Sequence, residues 1–103
     1  MDTSALEDKA ELVSRLLKSL ANERRLLILC HLIQGEKSVG ELEKLVGLSQ
    51  SALSQHLARL RKEALVTTRR EAQTIFYSVA SNEARAVLAT LYELFCAEEP
   101  ANG

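Results

Sequence analysis

The feature that most constrains the fold of this chain is a change of hydrophobic period just after Glu63. Before it, Val39, Leu42, Leu45 and Val46 form a helical stripe, and Leu53, Leu57 and Leu60 form another. Between the two stripes Gly47 supplies a turn residue that takes a positive φ at little cost. Leu48 plugs that turn, and Ser49 is a good N-cap for a helix running from Gln50 to about Glu63. This is a helix–turn–helix. The face of its second helix opposite the leucines carries Ser51, Ser54, Gln55, Ala58, Arg59 and Lys62. An ordinary solvated face mixes both charge signs. A face of small hydroxyls and amides edged with cations suits a major groove, where amides meet base edges and cations meet phosphates.

After Glu63 the period becomes that of a strand. Leu65 to Arg70 and Thr74 to Val79 are rich in β-branched and aromatic residues. The connection Glu71-Ala72-Gln73 has no Gly or Asn, so a longer loop around a type I turn is expected rather than a two-residue hairpin turn. A basic hairpin directly after a groove-reading helix has the form of a wing. Arg69, Arg70 and Gln73 are expected at its tip, within reach of DNA backbone or minor groove.

Upstream, Ser4-Ala5-Leu6-Glu7 matches a capping box, followed by a one-sided apolar stripe at residues 6, 10, 13, 17 and 20. Asn22 can cap a second helix from Glu23 to Gln34, apolar almost all round, as in a central buried helix. Ser38-Val39-Gly40-Glu41 is a second capping box. Downstream, Ser81 caps a last helix through roughly Ala97, ahead of a short tail, Pro100 to Gly103. Its Ala84, Val87, Leu88, Leu91, Tyr92, Leu94, Phe95 and Cys96 exceed what one small core covers. The two terminal helices are therefore expected to form a homodimer interface. A two-fold dimer presents two reading helices roughly 34 Å apart, one turn of DNA.

The expected architecture is mainly α with a small β-hairpin: a winged helix–turn–helix filling residues 1–103 as a single DNA-binding domain. Its 103 residues and 47% hydrophobic content are ordinary for such a domain. No apolar run reaches the ~20 residues of a membrane span. The acidic, polar N-terminus does not look like a signal peptide, so a cytoplasmic protein without membrane contact is expected. The net charge of −1 argues at first against a nucleic-acid partner. Its distribution argues the other way, since residues 49–76 carry 5 basic and 2 acidic side chains while residues 77–103 carry 1 and 4. The positive charge falls where phosphate contacts require it.

The order of elements, with Leu48 to Arg61 inside it and Leu20-Ala21-Asn22-Glu23-Arg24-Arg25-Leu26-Leu27-Ile28-Leu29 ahead of it, resembles the ArsR/SmtB family of bacterial winged-helix repressors. The likeness runs from about residue 12 to 96. It implies a homodimer that leaves its operator when an inducer binds or a cysteine is modified. One departure is Ala64, where the family usually has Gly. A left-handed residue there would cost Ala about 1 kcal/mol, so a different helix end is expected. Most of the family sense metals, but the positions matching the family's ligands hold Ser38, Gly40, Ser81, Glu83, Leu94 and Ala97. These offer no thiolate or imidazole, so no metal and no cofactor are expected. His31 reads as a helix-face residue. His56 matches a recognition-helix position that touches DNA.

The two cysteines, Cys30 and Cys96, each lie in Leu-rich helical sequence, where a lone Cys is commonly a small core hydrophobe. A structural disulfide does not suit the cytoplasm. The resemblance adds a second reading. A branch of the family whose members include BigR, SqrR and HlyU carries cysteines at these two positions, and Arg70 to Tyr77 is also similar to that branch. It implies that a persulfide, polysulfide or oxidant links Cys30 to Cys96, directly or through inserted sulfur, and so releases DNA. The residues expected to contact DNA are Ser49, Gln50, Ser51, Ser54, Gln55 and His56 at the groove. Arg59, Arg69, Arg70 and Gln73 are expected at the backbone or wing. A winged-helix regulator without cysteine sensing, constitutive or derepressing, is the competing reading, and a protein-interaction module is a lesser one. An enzyme finds no support, since the chain lacks a Gly-rich phosphate loop and a Cys–His pair at usable spacing.

Overall fold

The computed structural model describes residues 2–97. Five helices and three short strands follow in the order α1 (Ser4–Leu20), α2 (Glu23–Leu32), β1 (Lys37–Ser38), α3 (Val39–Val46), α4 (Gln50–Lys62), β2 (Val66–Glu71), β3 (Thr74–Val79) and α5 (Asn82–Phe95). The expected tail from Pro100 to Gly103 lies outside the described residues.

Local chemistry accounts for most boundaries. The Asn22 side chain accepts the Arg25 N–H at 3.0 Å and opens α2. Ser38 and Glu41 form the reciprocal capping box that starts α3. Gly47 closes α3 in the left-handed region, at φ 67°. Ser49 and Ser81 cap α4 and α5 through the N–H groups of Ala52 and Ala84.

Four local expectations need correction. No capping box forms at Ser4, because the Asp2 carboxylate accepts both the Ser4 N–H and its hydroxyl, and the helix starts one residue earlier with Thr3 as its cap. Helix α2 stops at Leu32 rather than Gln34, where the N–H groups of Gln34 and Gly35 reach back three residues to His31 and Leu32 in tight turns. Helix α5 stops at Phe95, with Cys96 as its cap. Ala64 does adopt the left-handed conformation, at φ 61°. The N–H of Leu65 bonds the Leu60 carbonyl and that of Ala64 the Arg61 carbonyl, a Schellman ending sealed by buried Leu60 and Leu65.

The hairpin also differs from expectation. Glu71 pairs with Thr74, so the loop is only Ala72-Gln73. Ala72 takes φ 57°, the positive angle that a two-residue turn demands, in a residue whose type does not announce it. Strand β1, too short to show a period, joins the hairpin to give the antiparallel order β1-β3-β2.

The core is built from α2, α3 and α4, with the base of the sheet and the first half of α5. Ile28, Leu29, Leu42, Leu53, Leu57, Leu60 and Leu88 are fully buried, and Val66 and Val79 face each other across the hairpin. Each such side chain contributes roughly 1.5–3 kcal/mol on burial. Helix α2 buries one face only, because Leu27 remains exposed. Helix α1 joins the core at its C-terminal end, through Leu20, Ser19 and the partly buried Leu16, while Leu6, Leu12, Val13 and Leu17 stay exposed. At the other end of the chain Tyr92, Leu94 and Phe95 of α5 are exposed too, Phe95 by 80%. No helix among the described residues is long and apolar enough to cross a membrane.

Candidate nucleic-acid interface and thiol pair

Burial of Leu53, Leu57 and Leu60 fixes the rotation of α4 about its axis. Ser49, Gln50, Ser51, Ser54, Gln55 and Arg59 are consequently exposed on its outward side. His56 sits differently. It is half-buried, and its imidazole is held below the usual histidine range by burial first, then by Arg25, Arg24 and Arg59. Arg59 pairs with Glu63 one turn on, at 3.4 Å. A cleft of about 370 Å³ separates α4 from the sheet, bordered by Ser54, Ala58, Arg61, Lys62 and Tyr77. Arg61 and Tyr77 escaped the sequence argument, since the cleft exists only once helix and wing are folded together.

The register divides the wing's residues. Val66, Thr68 and Arg70 share a face with Val79, Tyr77 and Ile75, the face that continues the core and turns Tyr77 toward α4. Arg69 pairs with Phe76 and lies on the opposite face. Of the three residues expected at the tip only Gln73 is in the loop; Arg69 and Arg70 both lie within β2, Arg70 nearer the turn and paired with Ile75. Among the described residues Arg70 makes no ion pair. Arg69 is held by Glu36 and Glu71.

A polar hub that the sequence did not signal joins three helices beneath this surface. Arg25 is only 6% exposed. Its Nε donates to the Ser19 carbonyl at 2.9 Å and its Nη2 to the Lys18 carbonyl at 3.3 Å, satisfying the end of α1. The Ser19 hydroxyl in turn donates to Glu63 at the end of α4. Burial and the neighbouring Arg59 push the Arg25 guanidinium down from its usual range, and Glu63 opposes them. A charge this deep persists because carbonyls and a carboxylate surround it.

Cys30 is half-buried on α2, and Cys96 is exposed at the end of α5; both thiols are free. Burial raises the Cys30 pKa, and the Cys96 thiol raises it further, so the two sulfurs lie within electrostatic reach of one another. Helices α2 and α5 pack against one another, with Cys30 on the first and Cys96 capping the second. Among the described residues no group of three or more His, Cys, Asp and Glu side chains converges as a metal site would require. Ser38 and Ser81, at two positions where the family's metal sensors carry ligands, instead cap α3 and α5.

Residues 22–68, from the start of α2 into the wing, match the family described as bacterial regulatory protein, arsR family. The chain is 52% identical over 96 residues to the transcriptional activator HlyU of Vibrio cholerae, covering 93% of this chain and 89% of that protein. The chain belongs to the ArsR family. It is also 48% identical to the biofilm growth-associated repressor of Agrobacterium fabrum, over 92% of this chain and 81% of that one. Reduced HlyU from Vibrio cholerae superposes with a TM-score of 0.83 over 93% of this chain and 100% of that one. The repressor BigR from Xylella fastidiosa, 42% identical, superposes at 0.88 over 95% of this chain and 100% of that one. Within the ArsR family this places the chain in the BigR/HlyU branch of winged-helix, DNA-binding transcriptional regulators.

Proposed function

We propose that this ArsR-family protein is a cytoplasmic homodimeric repressor that leaves its operator when Cys30 and Cys96 become covalently linked. The observation that carries the proposal is that Cys96, at the end of α5, acts electrostatically on Cys30 of α2, the helix packed against α5, and neither thiol is on the helix that faces DNA. Ser49, Gln50, Ser51, Ser54 and Gln55 take the groove, with His56 at its edge. Arg59, Arg70 and Gln73 serve the backbone side. A homodimer through α1 and α5 is supported by their exposed apolar residues. A groove of about 1140 Å³ beside Leu12, Val13 and Leu16 adds to this. A homodimeric winged helix–turn–helix domain from Mycobacterium bovis, 34% identical and with a TM-score of 0.72, lends further support.

The different environments of the thiols suggest an order of events. A persulfide R–S–SH transfers its outer sulfur to the exposed Cys96 thiolate, giving Cys96–S–SH and R–S⁻. The Cys30 thiol, whose pKa burial raises, enters second. Once it has lost its proton, its thiolate attacks the Cys96 sulfur, giving the Cys30–Cys96 disulfide and releasing HS⁻, and further sulfur transfer before closure leaves a longer bridge. Linking α2 to α5 within each protomer tilts the dimer helices and pulls the two α4 helices out of groove spacing.

The test is the intact mass of the reduced protein after treatment with glutathione persulfide. Loss of two hydrogens, with or without added sulfur and absent in Cys30→Ser, supports the linkage. An unchanged mass leaves both cysteines as packing residues and favours a regulator without cysteine sensing. Sedimentation at micromolar concentration should give a dimer, and a monomer would contradict the interface.

A further inference from the structure

Arg69 lies across the sheet instead of projecting from it. On β3 Phe76 pairs with Arg69 on one side and with Ser38 on the other, so all three share a face. The Arg69 guanidinium passes over the Phe76 ring, 4.7 Å from its centroid. It then reaches Glu36, immediately before β1. Nε donates to one carboxylate oxygen at 2.8 Å and Nη2 to the other at 2.9 Å. Nη1 donates to Glu71 on its own strand at 3.1 Å. All three guanidinium nitrogens are thus engaged by carboxylates. The Glu36 pair is the two-pronged arrangement that fixes a guanidinium in orientation as well as position.

The route to Glu36 is also specific. Gly35 has φ 148°, a conformation that side-chain-bearing residues rarely adopt. It turns the chain from α2 so that Glu36 meets the sheet. The contact joins residues 33 positions apart and ties the outermost strand, β2, to the segment that opens the helix–turn–helix. Arg70 is on the other face, alongside Tyr77 and the cleft that faces α4.

We propose that Arg69 is a positioning residue and not a phosphate contact: with Glu36 it straps the wing at a fixed angle to the helix–turn–helix, leaving Arg70 as the wing's backbone cation. The proposal rests on the DNA-binding reading for its consequence, but the strap itself can be tested without DNA. Half of the Arg69 side chain is solvent-exposed, so its loss should barely move global stability.

The experiment uses the reduced full chain, a fluorescent duplex from its own promoter, and a salt titration. Glu36→Gln and Arg69→Gln should each weaken binding by a similar factor, roughly fivefold, with the salt slope unchanged. The exchanged pair Glu36→Arg with Arg69→Glu should regain most of that loss. Arg70→Gln should instead lower the slope by about 0.9, one phosphate contact. Tighter binding by Glu36→Gln, a lower slope for Arg69→Gln, or an exchanged pair weaker than either single variant would overturn the strap. Amide hydrogen exchange over residues 66–79 gives the independent readout. Glu36→Gln and Arg69→Gln should both accelerate it, and unchanged exchange in both would also overturn the strap. A wild-type protein that failed to bind DNA while these variants still loosened the wing would refute the DNA reading and leave the strap standing.

Discussion

Replacing Ala64 with glycine should stabilise this protein by about 0.5–1 kcal/mol, although glycine is usually harmful inside a helix. Ala64 sits at φ 61° directly after α4. In that region the Cβ crowds the following carbonyl, costing an L-residue roughly 1–2 kcal/mol. Glycine removes that crowding but gives the unfolded chain more freedom, which offsets about 0.4–1 kcal/mol. Ala64 is exposed, so losing its methyl opens no cavity. The hydrogen bonds of the ending, 2.9 Å from Leu65 to Leu60 and 3.0 Å from Ala64 to Arg61, need no side chain at residue 64. For a domain of this size the gain corresponds to a rise of about 2–8 °C in Tm. The assay is thermal and urea unfolding of the reduced protein at matched protomer concentration, because dimerisation makes Tm concentration-dependent. The urea midpoint should rise with m unchanged. A lower midpoint would show that residue 64 is not held left-handed and would refute the reasoning.

Three further outcomes follow from the hub and the reading helix. Arg25→Met should cost about 2–4 kcal/mol by urea unfolding, since it strips the Lys18 and Ser19 carbonyls of their donor and removes a buried cation that Glu63 stabilises; a cost below about 1 kcal/mol would contradict that role. His56 has its pKa lowered from 6.5 in the folded state, so its contribution is complete above that value and is lost as pH falls through the depressed one. Wild type should lose stability relative to His56→Gln as the pH falls below about 6.5, whereas parallel profiles would contradict the burial. Gln55→Ala should relax preference at one base position at a cost of about 1–3 kcal/mol; equal weakening on specific and random duplexes would remove Gln55 from base reading.

Much of the fold was legible because the deciding chemistry is local. Ser38 with Glu41, Gly47 and Ser49 mark α3, the turn and the start of α4 by side chains that bond their own backbone. Leu53, Leu57 and Leu60 orient α4 by spacing alone. Most of the misses come from contacts that the local sequence does not announce. Ala64 and Ala72 take left-handed angles that tertiary pairing imposes at a cost their residue types do not advertise. Ser4 lost its capping role to a competing carboxylate, that of Asp2. Arg25 reads as an ordinary cation until α1 ends beside it. Arg69 and Arg70 are identical in the sequence, and only the register puts them on opposite faces of the wing.

The central claim is that linking Cys30 to Cys96 releases DNA. The most direct measurement is the affinity of the protein for its own promoter duplex before and after glutathione persulfide, in wild type and in Cys30→Ser. The account predicts at least about a tenfold loss in treated wild type, reversed by a reducing agent, and unchanged affinity in the variant. Undiminished binding by treated wild type, or an equal loss in Cys30→Ser, would contradict it.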